Sequence, residues 1–508
     1  MSRLRLWVFL PPFLILLFSC IYSLIDQNAF LAQATAINDW ILDHFSWLYA
    51  STTFLLVLLC IVVYFSPLAK VKIGGEQAQP ILSRWRWFSI TLTTTVAIGI
   101  LFWGTAEPLF HLHQPPDGLG IDPNSPAAAT FSMSTMFMHW TFTPYAIYTI
   151  AGLTFAIGYY NLKQPFSLGA MLYPLLGKRA NGRLAKIIDA ICLFSLAAGM
   201  AASLGAGILT IGGGIEDLFA IENGKVSMGL VTVGIVLCFL ISAASGLLKG
   251  IRILADINIR AFILLAIFVF LFGPISEQLA VGWSGLKDYV VNFVPRSLPF
   301  VGIEDRDWAH SWTMFYWANW LAWTPITAIF LGRLSYGYTV RDYIHFNWIL
   351  PAIFGGVWMM IFSGTTLHFD QIESSALYAT LQESGVERII YAVFDRLPAS
   401  EVMGIIFLLI TFLSYITAAD SNTSAMSGIS STGISPKSPE PSFGIKLVWG
   451  VTIGAIAWIM VSFAGIDGVK MTSNLGGFPA LFLVIAVAIG LVKLIVKGKA
   501  ALEEETME

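Results

Sequence analysis

The sequence predicts an all-α integral membrane protein whose chain crosses the bilayer as twelve helices. Hydrophobic residues make up 56% of the 508 residues and charged residues only 12%, whereas a soluble domain carries about 25% charged residues. The mean hydropathy of +0.75 agrees with this class. A soluble enzyme is excluded, because too few polar side chains are present to cover its surface. The net charge of −3 provides no basic excess for binding nucleic acid.

Each predicted span is an apolar run of about 20 residues, the length that an α-helix needs to cross the hydrocarbon core. Two other stretches, 277–295 and 387–397, mix polar and apolar residues, and we expect them to lie flat at the outer interface. The twelve spans are predicted near residues 5–25, 47–66, 87–110, 136–160, 187–210, 228–247, 254–273, 312–333, 344–365, 402–426, 444–464 and 476–496.

The distribution of basic residues predicts the orientation of these spans. Most of the 28 Lys and Arg residues fall in the segments that become cytoplasmic when the N-terminus is placed inside. This bias follows the positive-inside rule. With an even number of spans, both termini are predicted to lie in the cytoplasm.

Aromatic residues are unusually dense in two of the spans. Tyr316, Trp320 and Trp323 follow the spacing i, i+4, i+7 and therefore share one helix face. Packing against other helices is the more frequent explanation of such a stripe. The functional alternative is an aromatic box for a quaternary ammonium ion. Such an ion donates no hydrogen bond and is held by the negative faces of aromatic rings.

Few charged or metal-binding residues lie at membrane depth. Arg260 is placed deeper than the loop residues, although its side chain could also extend to the cytoplasmic face. We expect His111 and His113 to lie in a solvated outer loop, and Glu107 to mark a helix end. The four cysteines lie in apolar runs without paired spacing. No cofactor and no metal site is predicted.

Four segments carry a resemblance to a known family. They read FWGTAEP from residue 102, HWTFTPYAIY from 139, WTMFYWANWLAWTP from 312 and FLGRLSYGYTVRDYI from 330. They resemble the signature segments of the betaine/choline/carnitine transporter (BCCT) family. This resemblance implies a LeuT-like fold with two inverted five-helix repeats, a homotrimer, and a bacterial inner membrane location. The implied parts are two additional N-terminal helices (1–66), a first repeat (67–275), an outer connecting helix (276–311), a second repeat (312–497) and a cytoplasmic tail (498–508).

The resemblance also implies where a substrate binds. Ala97 and Gly99 belong to the stretch of span 3 that faces the substrate. Choline carriers of the family have an aspartate at the position of Gly99, so its absence favours a zwitterion of the glycine betaine or carnitine type. The implied box consists of Trp140, Tyr145, Tyr148 and Trp320, and Trp323 and Phe330 match positions on the cytoplasmic side of the pathway.

Sodium-coupled members of the family use hydroxyl side chains that this sequence mostly lacks. Span 10 has Thr417 but Ala418 follows it, and Leu196 and Met200 stand at the matching positions of span 5. The resemblance therefore implies weak or absent sodium coupling, with exchange or proton coupling instead. Sodium-independent members place a fixed positive charge near the vacated site, and Arg260 is the candidate for that charge.

Two functions remain open on the sequence alone. The first is a secondary transporter of a quaternary-ammonium zwitterion that works by alternating access in the lipid bilayer. The alternative is a membrane-embedded receptor that binds such a compound without transport. A signalling receptor needs a cytoplasmic output domain, and the sequence predicts none.

Overall fold

The computed structural model describes residues 4–95, 99–244, 248–299, 305–432 and 442–497. Within these ranges the regular secondary structure is helical, with no β-strand and two isolated β-bridges, Leu4 with Ser431 and Lys72 with Thr339. The predicted all-α class is confirmed, and the described residues of the predicted spans are almost all helical.

Helices α1–α6 form the first third of the chain. α2 begins at Asp26, whose carboxylate accepts a hydrogen bond from the backbone N–H of Ala29 and so caps the helix. α5 begins in the same way at Ser125, with Pro126 as its first residue. The bounds are α1 Leu6–Ile25, α2 Gln27–Phe65, α3 Arg84–Thr95, α4 Gly99–His113, α5 Pro126–Trp140 and α6 Phe142–Ala156.

Helices α7–α10 complete the part of the chain before the predicted second repeat. α10 covers the stretch that the sequence predicts as an outer amphipathic helix, and it meets the last part of α9 at 107°. The bounds are α7 Arg183–Phe219, α8 Lys225–Ala244, α9 Leu248–Phe272 and α10 Ile275–Val291.

Helices α11–α15 follow. α15 is interrupted at Gly465, whose φ of 53° and ψ of −133° are not helical, and this break divides the two last predicted spans. The positive φ favours glycine at that position. The bounds are α11 Phe315–Leu334, α12 Leu350–Ile372, α13 Ala376–Ser384, α14 Ser400–Ile429 and α15 Phe443–Lys497.

Short helical turns join these elements. Three are π-helical, and two of the three immediately precede α11 and α12. The π-turns are Ile157–Asn161, His310–Met314 and His345–Ile349; the 3₁₀ turns are Pro67–Lys70, Asp117–Leu119, Leu168–Leu172, Gly177–Ala180 and Val386–Arg388; and the short α-turns are Tyr173–Leu176, Phe293–Ser297, Arg306–Ala309, Val340–Ile344 and Ile389–Phe394.

Six helical segments of the described chain are long and apolar enough to cross a membrane. A seventh is added if the bent pair formed by the end of α9 and by α10 counts as one span. The chain is thus a multi-pass membrane protein, while the number twelve stays a prediction. Large apolar side chains face outward on the peripheral helices, as Trp7 and Phe18 of α1 do at 81% and 67% exposure, which is what a lipid solvent requires.

The inner helices bury polar groups as well as apolar ones. α7 packs along α15, and α11 packs between α6 and α15. The polar residues of α4 and α5 are enclosed here, among them Thr105, Glu107 and His139, each at most 1% exposed. Polar side chains at membrane depth are tolerated only where protein or water surrounds them, and these inner helices therefore position the candidate site.

Candidate functional site

Span 4 consists of two helices that meet at a sharp break in the backbone. α5 ends at Trp140 and α6 begins at Phe142, with Thr141 between them at φ −121° and ψ −115°. The Thr141 hydroxyl donates to the carbonyl oxygen of Phe137 at 2.5 Å, which satisfies a carbonyl group at the helix end. The break places Trp140 at the end of one helix and Tyr145 in the first turn of the next.

The structure brings the four predicted box residues together. The Trp320 ring of α11 lies 5.7 Å from that of Trp140, 5.7 Å from that of Tyr145 and 5.2 Å from that of Tyr148, measured between ring centroids. All three pairs are edge-to-face, the favoured arrangement of aromatic quadrupoles. None of the four side chains is more than 4% exposed. Trp320 is therefore the centre of a buried aromatic cluster that is closed to solvent.

Two polar atoms of this cluster are buried without a partner in the described chain. They are the Tyr145 hydroxyl and the Trp320 indole nitrogen Nε1. Buried polar groups in proteins almost always have hydrogen-bond partners, and leaving one unpaired costs about 1–3 kcal/mol. These two donors can therefore serve a ligand that carries hydrogen-bond acceptors.

Gly99 lies directly against the cluster. A Cβ atom at this position would stand 2.7 Å from the Trp140 ring, too close for any side chain unless the ring moves. α3 ends at Thr95 and α4 begins at Gly99, and Ala97 lies outside the described residues. The structure thus places Gly99, but not Ala97, at the candidate site.

Trp323 and Phe330 continue the same helix away from the cluster. Both are partly buried, and within the described chain neither ring pairs with a ring of the four-residue cluster. Trp323 lines a cavity of about 20 Å³ together with Met200 and Ala418. Trp323 therefore lies beyond the cluster, on the side of α7 and α14.

This small cavity lies where the sequence predicts a lost sodium site. Leu196 and Met200 of α7 are buried, and Met200 faces Ala418 of α14 across the cavity. The Thr417 hydroxyl donates to the carbonyl oxygen of Leu413 at 2.8 Å within its own helix. Three of the four expected ligand positions carry no oxygen in their side chains, and sodium prefers oxygen ligands.

The structure does not place Arg260 at that position. Arg260 is exposed on the outer face of α9, and two helical residues are separated by about 200° around the axis. The residue that points inward is Asn258, whose side-chain amide donates to the Ser414 hydroxyl at 2.8 Å. The prediction that Arg260 supplies a charge beside Thr417 is therefore corrected, because Asn258, two positions earlier, is the residue on the inward face of this helix.

A buried carboxylate network adjoins the aromatic cluster, and sequence reasoning missed it. The Glu107 oxygen Oε1 accepts from His139 Nδ1 at 2.7 Å and from His111 Nε2 at 3.1 Å. The other oxygen, Oε2, accepts from the Trp140 indole at 2.8 Å and from the Tyr316 hydroxyl at 2.5 Å. We call Glu107, His111, His139 and Tyr316 the carboxylate network; Trp140 joins it to the box.

The carboxylate network is wholly enclosed by protein. Glu107, His111 and His139 are each 0% exposed. The remaining ring nitrogen of His139, Nε2, meets the Thr313 hydroxyl at 3.1 Å. The network therefore links α4 and α5 with α11 and the π-turn before it.

The expectation that His111 and His113 lie in a solvated loop is wrong. Both belong to the last turn of α4, and His111 is buried beside Glu107, four residues earlier on the same helix face. His113 meets the Asp370 carboxylate at 2.6 Å and stacks on Tyr378 with ring centroids 3.9 Å apart. The Glu-x-x-x-His spacing was the available signal for the first of these contacts.

Buried aromatic rings in a helical membrane protein can hold a small cationic compound, because ring faces attract quaternary ammonium ions. Comparison with known families agrees with this. Residues 7–500 match the betaine/carnitine/choline transporter family. The chain belongs to that family and is a transporter, not an enzyme.

Curated relatives cover nearly the whole chain. It is 31% identical over 460 residues to glycine betaine transporter 1 of Vibrio parahaemolyticus, covering 89% of this chain and 86% of the relative. It is 28% identical over 481 residues to the ectoine/hydroxyectoine transporter of Virgibacillus pantothenticus, covering 94% of each. It is 29% identical over 460 residues to the high-affinity choline transport protein of Escherichia coli K12, covering 90% of this chain and 67% of the relative.

Proposed function

We propose that this protein is a secondary transporter of a quaternary-ammonium zwitterion of the glycine betaine or carnitine type. The observation that carries the proposal is the buried cluster of Trp140, Tyr145, Tyr148 and Trp320, with rings 5.2–5.7 Å from Trp320. Their faces bind the trimethylammonium group once the rings separate to admit it. Each such cation–π contact contributes about 0.5–2 kcal/mol.

Position 99 and the unpaired donors support a zwitterion over choline. Gly99 contacts the Trp140 ring and carries no charge, so a carboxylate on the substrate meets no repulsion from this position. The Tyr145 hydroxyl and the Trp320 Nε1 are buried without partners in the described chain. They can donate to a substrate carboxylate, which choline lacks.

Alternating access accounts for the burial of the box. Its side chains are at most 4% exposed, so substrate enters and leaves only if helices on one side or the other separate. The helices that separate belong to the two five-helix repeats, which we assign to residues 67–275 and 312–497. We further propose a homotrimer in the bacterial inner membrane with both termini in the cytoplasm.

Coupling in this proposal does not use sodium. Leu196, Met200 and Ala418 supply no oxygen ligand, and the Thr417 hydroxyl is bound within its own helix. Transport then proceeds by exchange or is driven by protons.

Uptake into proteoliposomes tests the proposal. The panel consists of radiolabelled glycine betaine, carnitine, choline, ectoine and a sulfonium analogue, each measured with a Na⁺ gradient and with K⁺ in its place. We expect saturable uptake of a zwitterionic onium compound that changes less than about twofold when Na⁺ is replaced. Strong stimulation by Na⁺ would refute the coupling claim. Binding without uptake or exchange would favour the receptor instead.

A further inference from the structure

The break in span 4 is explained by one proline. Pro144 has no backbone N–H, so it cannot donate to the carbonyl oxygen of Trp140, four residues earlier, and its ring crowds that carbonyl. The helix therefore ends at Trp140 and begins again at Phe142, with Thr141 outside helical geometry. The backbone carbonyls at the break need contacts from elsewhere in the protein, because buried carbonyl groups are rarely left without a partner.

The π-turn that precedes α12 contacts the residue after the break. The indole N–H of Trp348, in the π-turn His345–Ile349, donates to the carbonyl oxygen of Phe142 at 2.8 Å. The two rings also pack edge-to-face, with centroids 5.5 Å apart. Trp348 is only 7% exposed, so this hydrogen bond is largely shielded from its surroundings. It holds the start of α6 against the start of α12.

Gly355 of α12 contacts the residue before the break. A Cβ atom at this position would stand 2.5 Å from the carbonyl oxygen of Trp140, too close for any side chain. Glycine therefore lets the backbone of α12 approach this carbonyl, which is the one that Pro144 deprives of its helical donor. Gly356, the next residue, is not constrained in this way. Its added Cβ would have its nearest neighbour at 3.5 Å, in Thr141, which is ordinary van der Waals contact.

We call Trp348 and Gly355 the α12 clamp. The clamp lies in the part of the chain that we assign to the second repeat, whereas the break lies in the first. A displacement of α12 therefore acts on the backbone at Trp140, while Tyr145 and Tyr148 belong to α6 on the other side of the break. The distances between the box rings thus depend on the position of α12.

A second tryptophan of α12 shows that burial alone does not require such a bond. Trp358 is 2% exposed and stacks on Phe362 with ring centroids 4.2 Å apart. Its indole nitrogen has no hydrogen-bond partner in the described chain. The hydrogen bond of Trp348 to the break is therefore a specific contact, and Trp358 provides a comparison on the same helix.

We propose that Trp348 and Gly355 are positioning residues for substrate binding: by holding the break, they keep the Trp140 ring where it completes the aromatic box. The inference rests on the proposed function. The clamp itself does not contact substrate. When the two repeats separate, release of Trp348 from Phe142 lets the Trp140 ring move away from Trp320, and the box loses affinity for its ligand. Closure restores both the clamp and the box.

The first test measures equilibrium binding to the purified full-length protein. The ligand is glycine betaine, or whichever compound of the uptake panel the wild-type binds. Trp348→Phe keeps an aromatic ring beside Phe142 but removes the N–H, and we expect the affinity to fall about threefold or more. Trp358→Phe is the matched control, because it makes the same substitution on the same helix without removing a hydrogen bond. Its affinity should equal that of the wild-type.

A double-mutant cycle separates positioning from a merely structural role. If Trp348 acts through the Trp140 ring, Trp348→Phe should have little further effect on affinity once that ring is removed by Trp140→Leu. Independent contributions to binding would instead multiply. An equal fold-loss of affinity in the two backgrounds therefore overturns the proposal.

Two neighbouring glycines provide an independent test on the other side of the break. Gly355→Ala forces a Cβ atom against the Trp140 carbonyl, and we expect the affinity to fall about fivefold or more, as overpacking of this kind displaces the backbone. Gly356→Ala is the control, and its affinity should stay close to that of the wild-type. Equal affinities of these two variants contradict the proposal.

The remaining outcomes separate the clamp from the proposed function. If Trp140→Leu binds too weakly for the cycle, the two glycine variants decide, and if Gly355→Ala does not fold, Trp348→Phe and its control decide. Wild-type binding with equal affinities of Trp348→Phe and Trp358→Phe overturns the clamp and leaves the proposed function standing. A wild-type that neither binds nor exchanges any compound of the panel refutes the proposed function itself.

Discussion

The aromatic box and the carboxylate network are two buried clusters that share Trp140 and differ in how their polar atoms are paired. In the network, both oxygens of Glu107 accept two hydrogen bonds each. In the box, the Tyr145 hydroxyl and Trp320 Nε1 have no partner within the described chain. The hydrogen-bonding groups of the network are paired with one another, whereas the two unpaired donors of the box are free to bind a ligand. Substitutions in the first should therefore change stability, and those in the second should change affinity.

The largest effect should come from removing the centre of the network. Glu107→Leu leaves four buried donors without an acceptor, and breaking a buried charged pair costs about 3–5 kcal/mol. We expect a large fall in the midpoint of thermal unfolding of the detergent-solubilised protein. The control is Glu383→Leu, at an exposed site of α13, which should change stability by less than about 0.5 kcal/mol. Similar midpoints for the two variants would remove the distinction between the clusters.

Two tyrosine substitutions compare the network and the box, because each removes a single hydroxyl oxygen. Tyr316→Phe removes a hydrogen bond to the Glu107 carboxylate, and we expect a loss of about 1.5–3 kcal/mol of stability. Tyr145→Phe removes a hydroxyl that has no partner in the described chain, so stability should hold while the affinity for a carboxylate-bearing substrate falls. The measurements are thermal unfolding and equilibrium binding of both variants. Equal destabilisation of the two would show that Tyr145 is paired internally.

Gly99 tests how closely span 3 approaches the shared ring. Gly99→Ala places a Cβ atom 2.7 Å from the Trp140 ring, and overpacking of this kind costs about 1–3 kcal/mol. We expect weaker substrate binding, because Trp140 must move out of the box. Gly234→Ala in α8 is the control, since nothing lies within 4 Å of its added Cβ. Unaltered binding by Gly99→Ala would show that the Trp140 ring moves freely.

Trp320 tests the box without disturbing the network. Trp320→Leu removes the ring at the centre of the cluster, and the loss of a cation–π contact worth about 0.5–2 kcal/mol should weaken binding roughly 2- to 30-fold. Trp85→Leu is the matched control, because Trp85 is 66% exposed. Isothermal titration of the purified variants measures both affinities. Wild-type affinity in Trp320→Leu would refute the box.

The helices were largely predictable from sequence because their signals are local, whereas the four box residues were implied by the family resemblance. An apolar run of membrane-spanning length is a property of one segment, and the described residues of the predicted spans are almost all helical. The spacing of Tyr316 and Trp320 places both on one helix face. In the structure this face turns inward, with Trp320 beside Trp140 and Tyr316 beside Glu107.

The partners of Glu107 and the direction of Arg260 were not predicted. They depend on how the helices rotate and pack against one another, and a single sequence does not give this information. Glu107 and His139 are separated by 32 residues, and only the packing of α4 against α5 makes them partners. Arg260 shows the same limit in another form: its helix carries several polar residues, Asn258 and Arg260 among them, and only the packing shows that Asn258 is the one that faces α14.

The backbone break at Thr141 has a consequence for the size of the headgroup that the proposed box can accept. Trp140 stands on one side of the break and Tyr145 and Tyr148 on the other, while Trp320 contacts all three. The spacing between the rings is therefore set by the angle between two helical segments as well as by side-chain identity. A tilt of α5 against α6 would widen or narrow the same set of rings, so that a preference between trimethylammonium, sulfonium and cyclic compounds can change while all four aromatic residues are kept.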